Sequence, residues 1–346
     1  MLRMADCRGD SRQETFWALA IPIRAARAVF LICFCLLVSP DSALAEEYFH
    51  AIAIHGGAGT ITREQMTPER EQAFHSALKV ALFTGDSVLA GGGTATDAVV
   101  AAIITMEDSP LFNAGKGAVF TRAGTNELDA SIMHGADLQA GGVAAVRHVK
   151  NPIVLARAVM DHSPHVFMIG AGAEEFAKER GIELVDSSYF FTERRWQQLQ
   201  KAREKSAKEG GGTVGVVCRD IHGNLAAGTS TGGMTNKRWG RVGDSPVIGA
   251  GTYADNRTCA VSATGDGEYF IRLGVARDIS ALMDYRALTV QEAADQVIRK
   301  VTDLGGEGGV VAMDRDGNVA FSFNTPGMYR GYLKQNGQPV TAIYRD

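Results

Sequence analysis

The chain has 346 residues, 45% of them apolar and 21% charged, with a formal net charge of −4. This balance excludes wholesale disorder, and with no basic block the charge gives no footprint for nucleic-acid binding. Glycine is enriched at 40 residues but follows no three-residue period, so a collagen helix is excluded as well. The length predicts about two domains or one large layered one, and no internal repeat marks a solenoid.

Residues 28–38 form an unbroken apolar run behind Arg24 and Arg27, and Ala43-Leu44-Ala45 follows. A positive flank, a short apolar stretch and an A-x-A exit describe a secretory signal peptide over residues 1–45. The run is too short to span a bilayer, which takes about 20 residues. Export to the periplasm or the medium is therefore expected, with no membrane association once the signal is removed. Cys7, Cys33 and Cys35 leave with it. Cys218 and Cys259 remain and are expected as buried free thiols, since two cysteines do not staple a domain of this size.

Residues 51–54 read as a short strand running into a tight turn at His55-Gly-Gly-Ala-Gly59. Residues 64–89 carry helical periodicity, broken by the glycines at 91–93. Thr94 caps a second helix through about residue 106, which Ser109-Pro110 stops. A loop over 111–117 leads to strands expected at 118–121, 127–134 and 142–146. Asn151-Pro152 opens a helix with Pro in its first turn. A strand at 165–169 and a helix at 173–179 follow. Residues 192–208 read as a solvated helix, ended abruptly by Gly210-Gly-Gly212. This stretch alone resembles a linker, and it divides the remaining chain near its middle.

Beyond it, segments 213–219 and 224–229 flank Asp220-Ile-His-Gly223, a hairpin signal. Segments 310–314 and 318–323 repeat the device around Asp314-Arg-Asp-Gly317. Helices at 268–283 and 290–304 lie between. Antiparallel hairpins with grouped helices do not make the alternation of a doubly wound sheet. Two sheets packed together and covered by helices, an α+β fold, fit better.

Gly228-Thr-Ser230-Thr-Gly232 matches the nucleophile elbow of serine hydrolases, but that chemistry needs a later His and none follows Ser230. Asn113-Ala-Gly-Lys-Gly117 fails as a phosphate loop, with Pro110 and Gly117 at the required Gly and Ser/Thr places. Asp314-Arg-Asp-Gly317 fails as a calcium loop, with Thr325 at the twelfth position, and reads as a turn. No zinc motif is present.

Gly210-Gly-Gly-Thr213-Val-Gly215 has two readings. One is a flexible linker entering a strand. The other is a self-cleaving bond, in which the Thr213 hydroxyl attacks the Gly212 carbonyl and leaves Thr213 as a new N-terminus. Its hydroxyl then lies beside an amine of pKa about 7.7–8.0, a general base at neutral pH. One residue so supplies both nucleophile and base, without a His.

The wider sequence bears on this choice. Thr213-Val-Gly, Thr229-Ser-Thr-Gly-Gly-Met-Thr-Asn-Lys237, Gly240-Arg-Val-Gly-Asp-Ser-Pro246, Gly249-Ala-Gly251 and Ala263-Thr-Gly-Asp-Gly-Glu268 resemble the plant-type asparaginase and isoaspartyl peptidase family of N-terminal nucleophile hydrolases. Ile54-His-Gly-Gly-Ala-Gly59, Ala95-Thr-Asp-Ala-Val99 and Phe112-Asn-Ala-Gly-Lys-Gly117 are similar to it upstream. The resemblance covers about residues 51–330.

It implies a four-layer αββα sandwich, cut between Gly212 and Thr213 into an α subunit of 46–212 and a β subunit of 213–346, paired as (αβ)2. It implies hydrolysis of isoaspartyl dipeptides and of the L-asparagine side-chain amide. Thr213 is the implied nucleophile, with Thr231 orienting it. Thr264 and Gly265 are the implied oxyanion hole, Arg241 the carboxylate partner and Asp244 the ammonium partner. Val242, Gly243, Asp266 and Gly267 complete the implied substrate-binding set, with Asn113 near the nucleophile. The family's sodium ion is held by main-chain carbonyls in a loop corresponding to about 106–118; no cofactor for catalysis is implied. Two alternatives stand beside this reading: a glycosylasparaginase of the same fold, and an uncleaved periplasmic amino-acid-binding protein.

Overall fold

The computed structural model describes residues 49–205 and 212–345. The signal segment 1–45 lies outside the described residues. An eight-stranded sheet runs β12-β11-β1-β5-β6-β2-β3-β4, and a four-stranded sheet runs β10-β9-β8-β7. In chain order the strands of the first half are β1 (Ala51–Gly59), β2 (Leu128–His134), β3 (Ala140–Val146) and β4 (Phe167–Ile169). Those of the second half are β5 (Val214–Arg219), β6 (Leu225–Thr231), β7 (Thr252–Ala254), β8 (Cys259–Gly265), β9 (Gly308–Asp314), β10 (Val319–Phe323), β11 (Gly327–Lys334) and β12 (Val340–Tyr344). All pairings are antiparallel except the parallel contact of β3 with β4.

The helices are α1 (Pro68–Ala90), α2 (Ala95–Glu107), α3 (Pro152–His162), α4 (Gly170–Glu179), α5 (Glu193–Lys205), α6 (Gly267–Leu273), α7 (Val275–Arg286) and α8 (Val290–Asp303). Threonine hydroxyls cap three of them: Thr67 accepts from the Arg70 N–H, Thr94 from that of Asp97 and Thr289 from that of Glu292. Glu292 returns the favour to the Thr289 N–H, completing a capping box.

Strand alternation divides the core. Ile52 and Ile54 on β1 join Leu78, Leu82, Val99 and Ile103 of α1 and α2 on one face of the large sheet. Ala51 and Ala53 point the other way, into a cluster with Ala260, Val261 and Val310 of the small sheet and Ile279 and Val297 of α7 and α8. Helices, sheet, sheet, helices make four layers, and the α+β sandwich expectation holds. Each fully buried Ile or Leu contributes about 1.5–3 kcal/mol. Small residues set the spacing. A Cβ on Gly228 of β6 would stand 2.5 Å from Val99 and 2.9 Å from Ile103, so α2 lies close behind the strand that carries Thr231.

Several local expectations are corrected. Segment 55–59 does not turn: it continues β1 through a bulge between His55 and Gly57, where Gly57 takes φ +109. Residues 118–121 form no strand, only a bridge between Phe120 and Asn126. The helix expected over 268–283 is two helices, because Gly274 adopts φ +59 between them. Strands β7, β8, β11 and β12 were not anticipated. Cys218 and Cys259 are buried free thiols, as expected. Among the described residues no helix is long and apolar enough to cross a membrane.

Candidate active site

Thr213 stands at the entry to β5, in the middle of the large sheet, and is almost fully buried. Strand pairing brings β6 alongside. The Thr213 hydroxyl donates to Thr231 Oγ1 at 3.1 Å, and Thr231 Oγ1 donates to the Gly212 carbonyl at 3.2 Å. The Gly233 N–H donates to the same Thr231 oxygen at 2.9 Å. Asn113 reaches in from the loop after α2. Its Nδ2 donates to the carbonyls of Gly212 and Gly233, both at 2.8 Å, and its Oδ1 accepts from the Val119 N–H. The carbonyl preceding Thr213 is thus held by two donors on one side of the peptide.

On the other side lies β1. Gly212 has φ +76, a conformation costly for residues with a Cβ. A Cβ on Gly57 would stand 3.0 Å from the Gly212 Cα. His55, fully buried, places Nδ1 3.1 Å from the Thr213 carbonyl oxygen and Nε2 3.0 Å from Ser262 Oγ on β8. Burial pushes its pKa down to about 3, so the ring is neutral.

Thr264, at the end of β8, accepts from the Ala58 N–H at 3.4 Å, joining the small sheet to the same bulge. Gly265 follows at φ +152, where a Cβ would fall against the Glu307 carbonyl and Gly308. Asp266 accepts from the Glu307 N–H, and Gly267 packs on Asp244: a Cβ there would stand 2.9 Å from the Asp244 nitrogen and Oδ1. Arg241 donates from Nε and Nη2 to both oxygens of Glu268, each at 3.0 Å, a fork geometry that also suits a ligand carboxylate. Gly243 lies under the Arg241 guanidinium, 2.9 Å from Nη1 measured from an added Cβ. Asp244 is buried, and its Oδ2 has no hydrogen-bond partner among the described residues. Burial pushes its pKa up to about 7. A buried carboxylate in this state accepts a cation at little further desolvation cost.

A family model for asparaginases matches residues 48–343. The chain belongs to the asparaginase family. The isoaspartyl peptidase of Escherichia coli strain K12 is 52% identical over 308 residues, covering 85% of this chain and 96% of that protein. The isoaspartyl peptidase of Salmonella typhimurium is 50% identical over 308 residues, covering 85% and 98%. The isoaspartyl peptidase/L-asparaginase of Homo sapiens is 41% identical over 285 residues, covering 80% and 91%.

In this asparaginase-family chain the fold brings together Thr213, Thr231, Asn113 and Gly212, and groups Arg241, Gly243 and Asp244 with Gly267. Val242, next to Arg241 in the chain, is half-buried. Ser230, on the same strand as Thr231, faces away: its hydroxyl donates to Glu107 at 2.6 Å. Sequence reasoning missed His55, Gly57, Thr229 and Ser262 as parts of the site. His55, Gly57 and Thr229 sit in motifs that were noticed for their resemblance, without a role; Ser262 carried no local signal.

Among the described residues no group of three or more His, Cys, Asp or Glu is placed to hold a metal ion. Main-chain carbonyls in the 106–118 loop offer another kind of site. A Cβ on Gly115 would fall against the Glu107 carbonyl, and one on Gly117 against those of Phe112 and Pro110. The two glycines let main-chain carbonyls pack closely in this loop, and such hard oxygens are the donor type an alkali cation takes. Part of the loop is taken by guanidinium groups: Arg194 Nη2 donates to Pro110 and Leu111, and Arg195 Nε to Gly117.

Proposed function

We propose that this chain is an autoprocessed threonine hydrolase, an isoaspartyl peptidase that also hydrolyses the side-chain amide of L-asparagine. The observation that carries the processing step is the Gly212 carbonyl, held by Asn113 and Thr231 beside the Thr213 hydroxyl.

Attack by Thr213 Oγ on that carbonyl carbon puts negative charge on the oxygen. Asn113 Nδ2 and Thr231 Oγ1 already donate to it, so the charge meets donors that need no reorganisation. The hydroxyl proton passes to Thr231 as Thr231 gives its own toward the oxyanion. Collapse breaks the C–N bond, the nitrogen takes up a proton, and an ester joins Gly212 to Thr213 Oγ. Water hydrolyses the ester to a Gly212 carboxylate and a free Thr213 hydroxyl and amine.

In turnover the Thr213 amine takes the proton of its own hydroxyl, which attacks the β-carbonyl of the substrate. Arg241 holds the α-carboxylate and Asp244 the α-ammonium; Gly243 and Gly267 leave room for both. The Thr264 hydroxyl and the Gly265 N–H receive the oxyanion. The amine or ammonia departs with a proton, and water releases aspartate from the ester.

A sodium ion held by the carbonyls of Glu107 and Phe112 would order the loop that carries Asn113, and no step passes through it. Pairing as (αβ)2 and export directed by residues 1–45 complete the reading. Intact mass under denaturing conditions tests it first: two fragments are expected, one beginning at Thr213. Release of aspartate from a β-aspartyl dipeptide and from asparagine tests the substrates. An intact chain that binds aspartate without turnover would overturn both steps.

A further inference from the structure

Between the two sheets runs a file of buried side chains that the chemistry above does not use. Ser131 on β2, Thr252 on β7, Thr229 on β6, Ser262 on β8 and His55 on β1 are all fully buried. Consecutive members are 2.7, 2.5, 2.7 and 3.0 Å apart, and His55 ends the file 3.1 Å from the Thr213 carbonyl.

Proton counting gives the file a direction. The Thr213 carbonyl only accepts, so the single proton of a neutral ring sits on His55 Nδ1. Nε2 then accepts, and Ser262 is its donor. That spends the one Ser262 proton, so Thr229 donates to Ser262. By the same step Thr252 donates to Thr229, and Ser131 to Thr252. The Gly251 carbonyl, 3.1 Å from Thr229, and the Ser245 carbonyl, 2.6 Å from Ser131 and 3.4 Å from Thr252, share three of these donors. Gly215 on β5 makes room: a Cβ there would overlap Ser262 Oγ and His55 Nε2.

We propose that His55 is a positioning residue for Thr213, locked as the Nδ1–H tautomer by this one-way file of hydroxyls from Ser131 to Ser262. The proposal rests on the reading of Thr213 as nucleophile. Before processing, residue 213 is tethered on both sides. Afterwards the Gly212 side is gone, and the hydrogen bond from His55 to the Thr213 carbonyl keeps the amine and hydroxyl aimed. Hydroxyl files polarise along their length, which strengthens the last bond.

The test uses the full, processed protein labelled with 15N-histidine. Long-range 15N–1H spectra are expected to show His55 as Nδ1–H, unchanged from about pH 5 to 8. The Nε2–H pattern, or an imidazolium that titrates in that window, overturns the proposal. Kinetics on a β-aspartyl dipeptide give a second readout. His55→Asn keeps an amide donor near the Nδ1 position and is expected within about tenfold of the parent kcat, whereas His55→Leu loses about 100-fold at nearly constant KM. Equal kcat for the two variants also overturns it. Should His55→Leu fail to fold, Ser262→Ala removes one hydroxyl only: a fall in kcat with a second His55 tautomer in the spectra supports the file, and unchanged kcat with an unchanged spectrum overturns it. If the parent protein hydrolyses neither substrate, the functional reading fails while the spectra still decide the tautomer.

Discussion

Gly57 and Gly212 lie main chain against main chain, so close that a Cβ on Gly57 would stand 3.0 Å from the Gly212 Cα and 3.2 Å from the Thr213 nitrogen. Both hold positive φ, +109 and +76. Gly57→Ala therefore brings backbone strain of about 1 kcal/mol or more together with a methyl pressed on the bond to be cut. Slower processing is expected, read as the fraction of intact chain against time by mass. Cleavage at the parent rate would show that this clearance has no part in it.

Asn113 should matter for processing more than for folding. Asn113→Ala takes one of two donors from the Gly212 oxygen, and losing one such donor costs about 100- to 1000-fold in rate. Thr213→Ala is expected to leave a single chain with no turnover. A cleaved, active Thr213→Ala protein would sink the mechanism.

Arg241 is engaged by Glu268 through two 3.0 Å contacts, so in its proposed role a substrate carboxylate would compete for it. Arg241→Ala is expected to raise KM by about 10- to 100-fold with a smaller change in kcat, because it removes binding common to ground and transition states. Glu268→Gln weakens the competitor and should lower KM by less than about tenfold. Steady-state kinetics of the two variants check both signs.

In the proposed role, Asp244 would tie substrate binding to pH. Its pKa is raised from 3.8 to about 7, chiefly by burial, and an ammonium needs the ionised form. KM should rise as pH falls below about 7, while the Thr213 amine governs kcat. Stability runs the other way. The cost of ionising Asp244 in the ligand-free fold is absent below its unfolded pKa and reaches full size above the folded one. Asp244→Asn should thus raise the thermal midpoint more at about pH 8 than at about pH 4, while impairing binding.

Much of this site was legible because it is written in short, dense segments. Thr213, Thr231, Arg241, Asp244, Thr264 and Gly265 sit in Gly- and Thr-rich stretches whose order and spacing resemble one family. Asn113 was readable in the same way. What the segments do not carry is long-range contact. His55 meets Ser262 across 207 positions, and no local pattern joins them. The bulge in β1 was misread as a turn because His-Gly-Gly-Ala-Gly has turn composition; pairing with β11 and β5 keeps it extended. Strands β11 and β12 were missed because Gly327, Gly331 and exposed Val340 blur the alternation that marks a strand. Gly274 lies inside the single helix expected over 268–283, and its positive φ makes it a boundary.

The order of the large sheet has a consequence for the proposed cleavage. β1 belongs to the segment before Gly212, yet it is inserted between β11 and β5, which both come after Thr213. If the Gly212–Thr213 bond is cut as proposed, neither fragment would carry the whole large sheet by itself. Once the bond is cut, unfolding should become a one-way event at low concentration, since recovery needs two separate polypeptides to find each other and interleave. The uncut Thr213→Ala chain should regain its fold after dilution from denaturant at a rate independent of concentration, and the cut enzyme should not.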